Sequence, residues 1–266
     1  MKSLAEKIKQ GNVILFVGAG VSATLGVPTW GELMNYLADS LRIDRDIFKM
    51  YGDPLQLAEY YKLKKGSIGQ LRSWMDVNWN IEEKKIQDSS VYERILQLGI
   101  PIIYTTNFDR CIEKAFDIHK KAYIKITKVE DISRIQKDTT QIIKFHGDFD
   151  SDDSIVLTES SYFDRMDFET PLDIKLRSDI LGKSLLFIGY SLSDINMRYM
   201  LYKLNKIWQG NNNSLPPKSY IFMTTPNPIQ EKIWESRNIV PIVGENSNPS
   251  DSLDEFLGEL CDLVRK

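Results

Sequence analysis

The chain has 266 residues, with 34 Lys and Arg against 37 Asp and Glu, two His, two Cys and a formal net charge of −3. That length suits one large α/β domain, or one core domain carrying a smaller insert, and about 70% of the unfolded surface disappears on folding at this size. The balanced charge gives no electrostatic reason to expect nucleic acid or an anionic membrane as the main ligand, and Cys111 and Cys261 are too few for a four-thiolate zinc site or a disulfide framework.

The start, MKSLAEKIKQ followed by the apolar run Val13–Val17, superficially resembles a secretion signal. The run is shorter than the usual apolar region of about 7–15 residues, and it ends in a glycine turn as a buried strand does. No stretch approaches the roughly 20 apolar residues of a membrane span. Asn212-Asn213-Ser214 matches a glycosylation sequon, but without a secretion signal it reads as polar loop. A cytoplasmic location is expected.

Short β-branched runs then recur at intervals that leave room for helices: Val13–Val17, Pro101–Tyr104, Tyr123–Thr127, Gln141–Phe145, Ser154–Leu157, Ser184–Ile188, Ser219–Met223 and Val240–Val243. Several are apolar throughout rather than alternating, so both faces must be covered. That is the pattern of a doubly wound, mostly parallel sheet flanked by helices. From about 44 to 98 strand patterns vanish, and Leu55, Leu57, Tyr60, Tyr61, Leu71, Trp74, Trp79 and Ile81 lie among many charges, which reads as a helical insert. An insert after the first strand–helix unit would sit near the carboxyl edge of the sheet, where open α/β folds bind ligands. Gln209–Lys218 reads as surface loop. In the last helix Ser252 and Glu255 have capping-box spacing, followed by a stripe of Leu253, Phe256, Leu257, Leu260, Cys261 and Val264. Cys261 on that stripe is packing.

Four segments carry candidate chemistry. In Val13–Gly26, VILFVGAGVSATLG, a strand runs into Gly18-Ala19-Gly20, with Ala23 at the third position of a Rossmann-like fingerprint. Glycines there let the backbone approach a pyrophosphate, and amides at a helix start bind the anion; a tight turn with no ligand is the other reading. The dehydrogenase version needs a second strand ending in an acid about 20 residues on. Here that region, WGELMNYLADSL, is helical and contains Asp39, which disfavours hydride transfer. Gly182-Lys183-Ser184 imitates a phosphate-binding loop, but Arg177 stands where its first glycine belongs and a strand follows.

In IIYTTNFD, Thr105, Thr106, Asn107 and Asp109 cluster at the end of a buried strand. They suit either ligand contact or a cap for the helix starting near Arg110. In IIKFHGDF, His146 follows a buried strand directly; it is either a proton acceptor or a structural histidine. His119, among charges at a helix end, is inert. In LLFIGYSLSD, Gly189 is followed by Ser191, Ser193 and Asp194; Ser193 or Asp194 suits an N-cap, and the glycine-serine turn suits a ribose or adenine contact.

GAGVS at Gly18–Ser22 with Gly26-Val27-Pro28, TTNFD at Thr105–Asp109, FHGD at Phe145–Asp148 and GYSLSD at Gly189–Asp194 together resemble the sirtuin-like NAD-binding family. The resemblance implies one catalytic domain over 1–266 with a Rossmann-like fold, and the two cysteines leave it with no zinc module. It implies that Gly18, Ala19, Gly20 and Ser22 line the dinucleotide phosphates, that Thr106, Asn107 and Asp109 serve the nicotinamide ribose, that His146 is the base, and that Gly189, Ser191 and Asp194 contact the remainder of NAD. Protein-deacylating sirtuins carry four zinc-binding cysteines, an aromatic-arginine pair where this chain has Thr29-Trp30-Gly31, and usually Gln in place of Thr106.

The chain therefore looks more like the bacterial branch that hydrolyses NAD in antiviral defence, with NAD as substrate, no metal, and a phage cue as trigger. A lysine deacylase and a non-enzymatic NAD or ADP-ribose sensor remain the competing expectations. A homo-oligomer or a regulatory partner subunit, an ATPase or Argonaute-type protein, is the expected control.

Overall fold

The computed structural model describes residues 1–166, 169–191, 194–209 and 217–266. Seven strands form one sheet: β1 Val13–Val17, β2 Ile102–Thr105, β3 Tyr123–Ile126, β4 Thr140–Lys144, β5 Ser184–Ile188, β6 Ser219–Met223 and β7 Ile239–Val243. Their order is β3-β4-β2-β1-β5-β6-β7, and all six pairings are parallel. The sequence boundaries of these seven hold to within one residue at each end.

The apolar runs work as expected. In β1, Val13, Leu15 and Val17 enter one core cluster while Ile14 and Phe16 enter the cluster on the opposite face; in β5, Leu186 and Ile188 oppose Leu185 and Phe187 in the same way. Side chains alternate across a strand, so a strand covered by helices on both sides must be apolar at every position.

The expected strand Ser154–Leu157 does not form. Asp152–Ser154 is a single 3-10 turn, and Val156 N–H donates to the His146 carbonyl at 2.9 Å. Ile155 and Leu157 alternate inward, but against helices instead of the sheet. They join a third cluster with Leu33, Leu37, Phe48, Leu57, Tyr61, Leu71, Met75, Phe108 and Phe149. Alternation alone cannot tell these two kinds of neighbour apart.

That third cluster comes mainly from helices Trp30–Leu41, Arg45–Met50, Pro54–Lys65 and Gly69–Asn78. The next long helix, Ser90–Gln97, instead buries Val91, Tyr92, Ile95 and Leu96 in the main core, against the closing helix.

The closing helix, Pro249–Arg265, starts three residues before the expected cap. Asn248 caps it, its Oδ1 accepting from the Ser250 and Asp251 amides at 2.9 and 3.4 Å, with Pro at the first position. Asn and Pro at those places are strong start signals, and they leave Ser252 buried inside the first turn. The stripe from Leu253 to Cys261 is buried as expected, and the Cys261 thiol faces the Arg94 carbonyl. Of the expected loop Gln209–Lys218, residues 210–216 lie outside the described residues, and Gln209 ends helix Ile195–Gln209. Among the described residues no helix is long and apolar enough to cross a membrane.

Candidate active site

The register brings four strand ends level. Val17 pairs with Thr105 and Ile188, and Thr105 pairs with Lys144. The segments that follow β4, β2, β1 and β5 thus emerge side by side at the carboxyl edge, where the winding of the sheet reverses.

At the centre, the turns after β1 and β5 touch backbone to backbone. Gly18 N–H donates to the Ile188 carbonyl at 3.0 Å, and Gly20 N–H donates to the Gly189 carbonyl at 2.8 Å. A Cβ on Gly18 would lie 2.3 Å from the Gly189 oxygen, and one on Gly189, at φ +57°, would lie 2.4 Å from the Val21 nitrogen. A side chain is excluded at both of these positions by this contact alone. Ala19 and Gly20 are exposed at the start of the short helix Ala19–Ala23, while Ser22 is buried.

After β2, the Thr105 hydroxyl donates to the Val17 carbonyl at 2.9 Å and accepts from Asn107 N–H at 3.0 Å. The Asn107 amide donates to the Gly18 carbonyl and the Ser22 hydroxyl, each at 3.1 Å, and Ser22 meets the Tyr92 hydroxyl at 3.3 Å. Asn107 therefore fastens the β2 loop to the glycine turn. Asp109 Oδ1 accepts from the Cys111 amide at 3.0 Å, bracing the head of helix Cys111–Ile118, whose cap position is Arg110. Between them Phe108 is anchored in the helical cluster against Trp79 and Phe149.

After β4, His146 is 3% exposed, with a polar neighbour near each ring nitrogen. Nδ1 lies 3.4 Å from the Tyr162 hydroxyl, and Nε2 lies 3.2 Å from Asp194 Oδ2. Gly147, at φ +82°, lets the chain fold back on Ser154, whose carbonyl would sit 2.1 Å from a Cβ there. The other Asp194 oxygen caps helix Ile195–Gln209, accepting from the Asn196 and Met197 amides at 2.9 and 3.1 Å. Burial would raise the Asp194 carboxyl, but His146 and those two amides hold it below its ordinary value.

Tyr190 lies across the gap between these groups. Its ring packs on Phe16 and Phe187, with centroids 5.1 and 5.9 Å away, and its hydroxyl faces Asp194 and Thr106. Burial, then Asp194, push that phenol far above its usual range. The Tyr190 hydroxyl, His146 Nε2 and Asp194 Oδ2 are all buried without a hydrogen bond of good geometry. Buried polar atoms left in this state are the ones a polar ligand could satisfy.

Asn107, His146, Gly18, Gly20, Ser22, Thr106, Gly189 and Asp194 thus belong to one linked cluster. Asp109 adjoins it through the loop, Ala19 and Ser191 lie on its exposed rim, and Ser193 lies outside the described residues. His119 is exposed at the far end of helix Cys111–Ile118. Sequence reasoning missed Tyr162, Tyr190 and Arg165. Arg165 donates to the Phe145 carbonyl and to Asp173, with its guanidinium 4.0 Å over the Phe145 ring. Tyr190 stood inside a quoted motif; Tyr162 and Arg165 had no signal, since their partners are distant in sequence. Among the described residues no group of three or more His, Cys, Asp or Glu could hold a metal ion.

An all-parallel, helix-flanked sheet with this polar cluster at its carboxyl edge is a Rossmann-like α/β domain. The model of the SIR2-like domain matches residues 101–242, and the chain belongs to that family. It is 32% identical over 216 residues to the NAD(+) hydrolase ThsA of Enterococcus faecium, an alignment covering 79% of this chain and 44% of that protein. The NAD(+) hydrolase ThsA of Bacillus cereus (strain MSX-D12) is 26% identical over 212 residues, covering 79% and 43%. Defense-associated sirtuin 2 of Bacillus subtilis is 25% identical over 249 residues, covering 87% and 23%. The chain spans less than half the length of these relatives.

Proposed function

We propose that this chain is an NAD glycohydrolase domain that cleaves NAD to nicotinamide and ADP-ribose, and that it depletes NAD in defence against phage. The observation that carries this reading is His146, buried between Tyr162 and Asp194 two strands from the glycine turn, with the Asn107 loop between them. Relatives named NAD(+) hydrolase and defense-associated sirtuin support it.

The chemistry is undemanding on the leaving side. Nicotinamide departs as a neutral molecule from a cationic ribosyl-pyridinium, so no acid is needed there. The site must instead stabilise an oxocarbenium-like ribose and direct a water to it, as in glycoside hydrolysis generally. In this proposal Asn107 orients the water or the ribose hydroxyls, and His146 accepts a proton. Asp194 stabilises the imidazolium that results, and Asp109 fixes the loop that presents Asn107. Gly18, Ala19, Gly20 and Ser22 line the phosphates; Thr106, Gly189 and Ser191 face the rest of the dinucleotide. The whole of 1–266 acts as one catalytic domain with its helical insert at about 44–98, in the cytoplasm, controlled by self-association or a second subunit.

The test is incubation of the purified chain with NAD alone, with nicotinamide and ADP-ribose quantified by chromatography and size measured in parallel. Turnover without any acylated peptide supports hydrolysis. Turnover that requires the peptide indicates a deacylase, and saturable binding without products under every activating condition, self-association included, indicates a sensor.

A further inference from the structure

Lys144, the last residue of β4, is 1% exposed, and no step of the proposed reaction uses it. Its ammonium donates to the main-chain carbonyl of Asp109 and lies 3.2 Å from Glu113 Oε1, itself only 5% exposed. Both Glu113 oxygens are buried without a hydrogen bond of good geometry, so the Lys144 charge is what that carboxylate is set against. A buried ion pair is a poor source of stability, because desolvating both charges cancels most of their attraction and apolar replacements are commonly as stable. Its location is informative instead. Lys144 precedes Phe145 and His146 directly, and the carbonyl it holds belongs to the loop that carries Asn107.

We propose that Lys144 is a positioning residue for the candidate active site: anchored by Glu113, it ties the Asp109 carbonyl to the end of β4 and so sets Asn107 against His146. Two neighbouring contacts act along the same line. Phe145 N–H donates to the Thr105 carbonyl at 2.8 Å, and Arg165 holds the Phe145 carbonyl. The strand bond aligns the two strand ends, while the lysine reaches four residues further along the loop. The inference rests on the proposed hydrolase reading for its kinetic readout, and on loop protection for a readout that does not.

Wild type, Lys144→Met, Glu113→Gln and the double variant Glu113→Leu/Lys144→Met are compared by thermal unfolding, NAD cleavage and amide hydrogen exchange over 105–111. Lys144→Met alone is expected to lower the midpoint sharply, because Glu113 is left buried without its partner. The double variant is expected to recover the midpoint, yet to lose about 10- to 100-fold in kcat with KM changed less than about threefold. Its 105–111 amides are expected to exchange faster than in wild type. A merely structural lysine predicts the opposite, with kcat and protection returning together with the midpoint, and that result overturns the proposal. If the double variant does not fold, Glu113→Gln decides, since it removes the charge at almost constant shape: unchanged kcat and unchanged exchange reject the role. If wild type itself cleaves no NAD, the hydrolase reading falls, and exchange over 105–111 judges Lys144 by itself.

Discussion

His146 Nε2 stands 3.2 Å from Asp194 Oδ2, joining the second residue after β4 to the residue that caps helix Ile195–Gln209. One carboxylate thereby does two jobs: one oxygen fixes a helix start and the other faces the imidazole. Because the cap pins Asp194, that carboxylate stands in a fixed place beside the imidazole. Tyr162 at Nδ1 completes the restraint.

His146→Ala and Asn107→Ala should each lower nicotinamide release by at least about 100-fold, the typical contribution of a positioned proton acceptor or polar orienter. Circular dichroism should show both variants folded. Full turnover in both variants would falsify the site assignment.

The lowered Asp194 carboxyl has a pH consequence with a definite sign. A native value below the ordinary one means that the folded state binds this proton less readily than the unfolded chain. The resulting stabilisation is complete above the ordinary carboxyl range, about pH 4, and is lost as pH falls through the lowered native value. Asp194→Asn keeps a good helix cap but not the charge. Urea midpoints should therefore favour wild type at neutral pH, with the gap closing below about pH 4. A constant gap down to pH 3 would contradict the assignment.

Three glycines should respond differently to alanine. Gly18 and Gly189 meet backbone atoms of the neighbouring turn, whereas Gly26, at φ +83°, has open space around it. Gly189→Ala combines a left-handed backbone with a clash, for about 2–4 kcal/mol, and Gly18→Ala a clash alone, for about 1–3 kcal/mol. Gly26→Ala should cost only about 1 kcal/mol. Denaturant titration ranks them, and a Gly26 variant as unstable as the Gly189 variant would refute the steric account.

Tyr162→Phe removes only the hydroxyl beside His146 Nδ1. Burial pushes the Tyr162 phenol far above its usual range, so it stays neutral at every working pH and acts as a hydrogen-bond partner, not a base. Losing one such bond should slow turnover by about 3- to 10-fold without flattening the pH profile. Complete inactivity of Tyr162→Phe would promote the residue to a chemical role.

Much of the site could be seen in one dimension because buried strands announce themselves and their carboxyl ends follow at once: Gly18, Asn107, His146 and Gly189 each stand within two residues of a strand end. Helix starts were harder to read. Ser252 and Glu255 had capping-box spacing, yet Asn248 with Pro249 made the stronger start. Ile155 and Leu157 alternated like a strand but found helices as neighbours. Asp194 offered a cap and a ligand contact equally well; its first oxygen makes the cap, and nothing in the sequence announced that its second would turn to His146.

The amino-acid order alone determined which segments are buried on both faces, which small and polar groups follow them, and that two cysteines cannot build a zinc module. Those are local properties of composition and period. Tertiary structure decided which groups meet. Parallel pairing sets Lys144, Thr105, Val17 and Ile188 level across four adjacent strands, so segments separated by tens of residues emerge at one edge. The contact of His146 with Asp194 and the ion pair of Lys144 with Glu113 exist only after that register is chosen. Strand order is fixed by packing over the whole sheet, which no window of sequence contains.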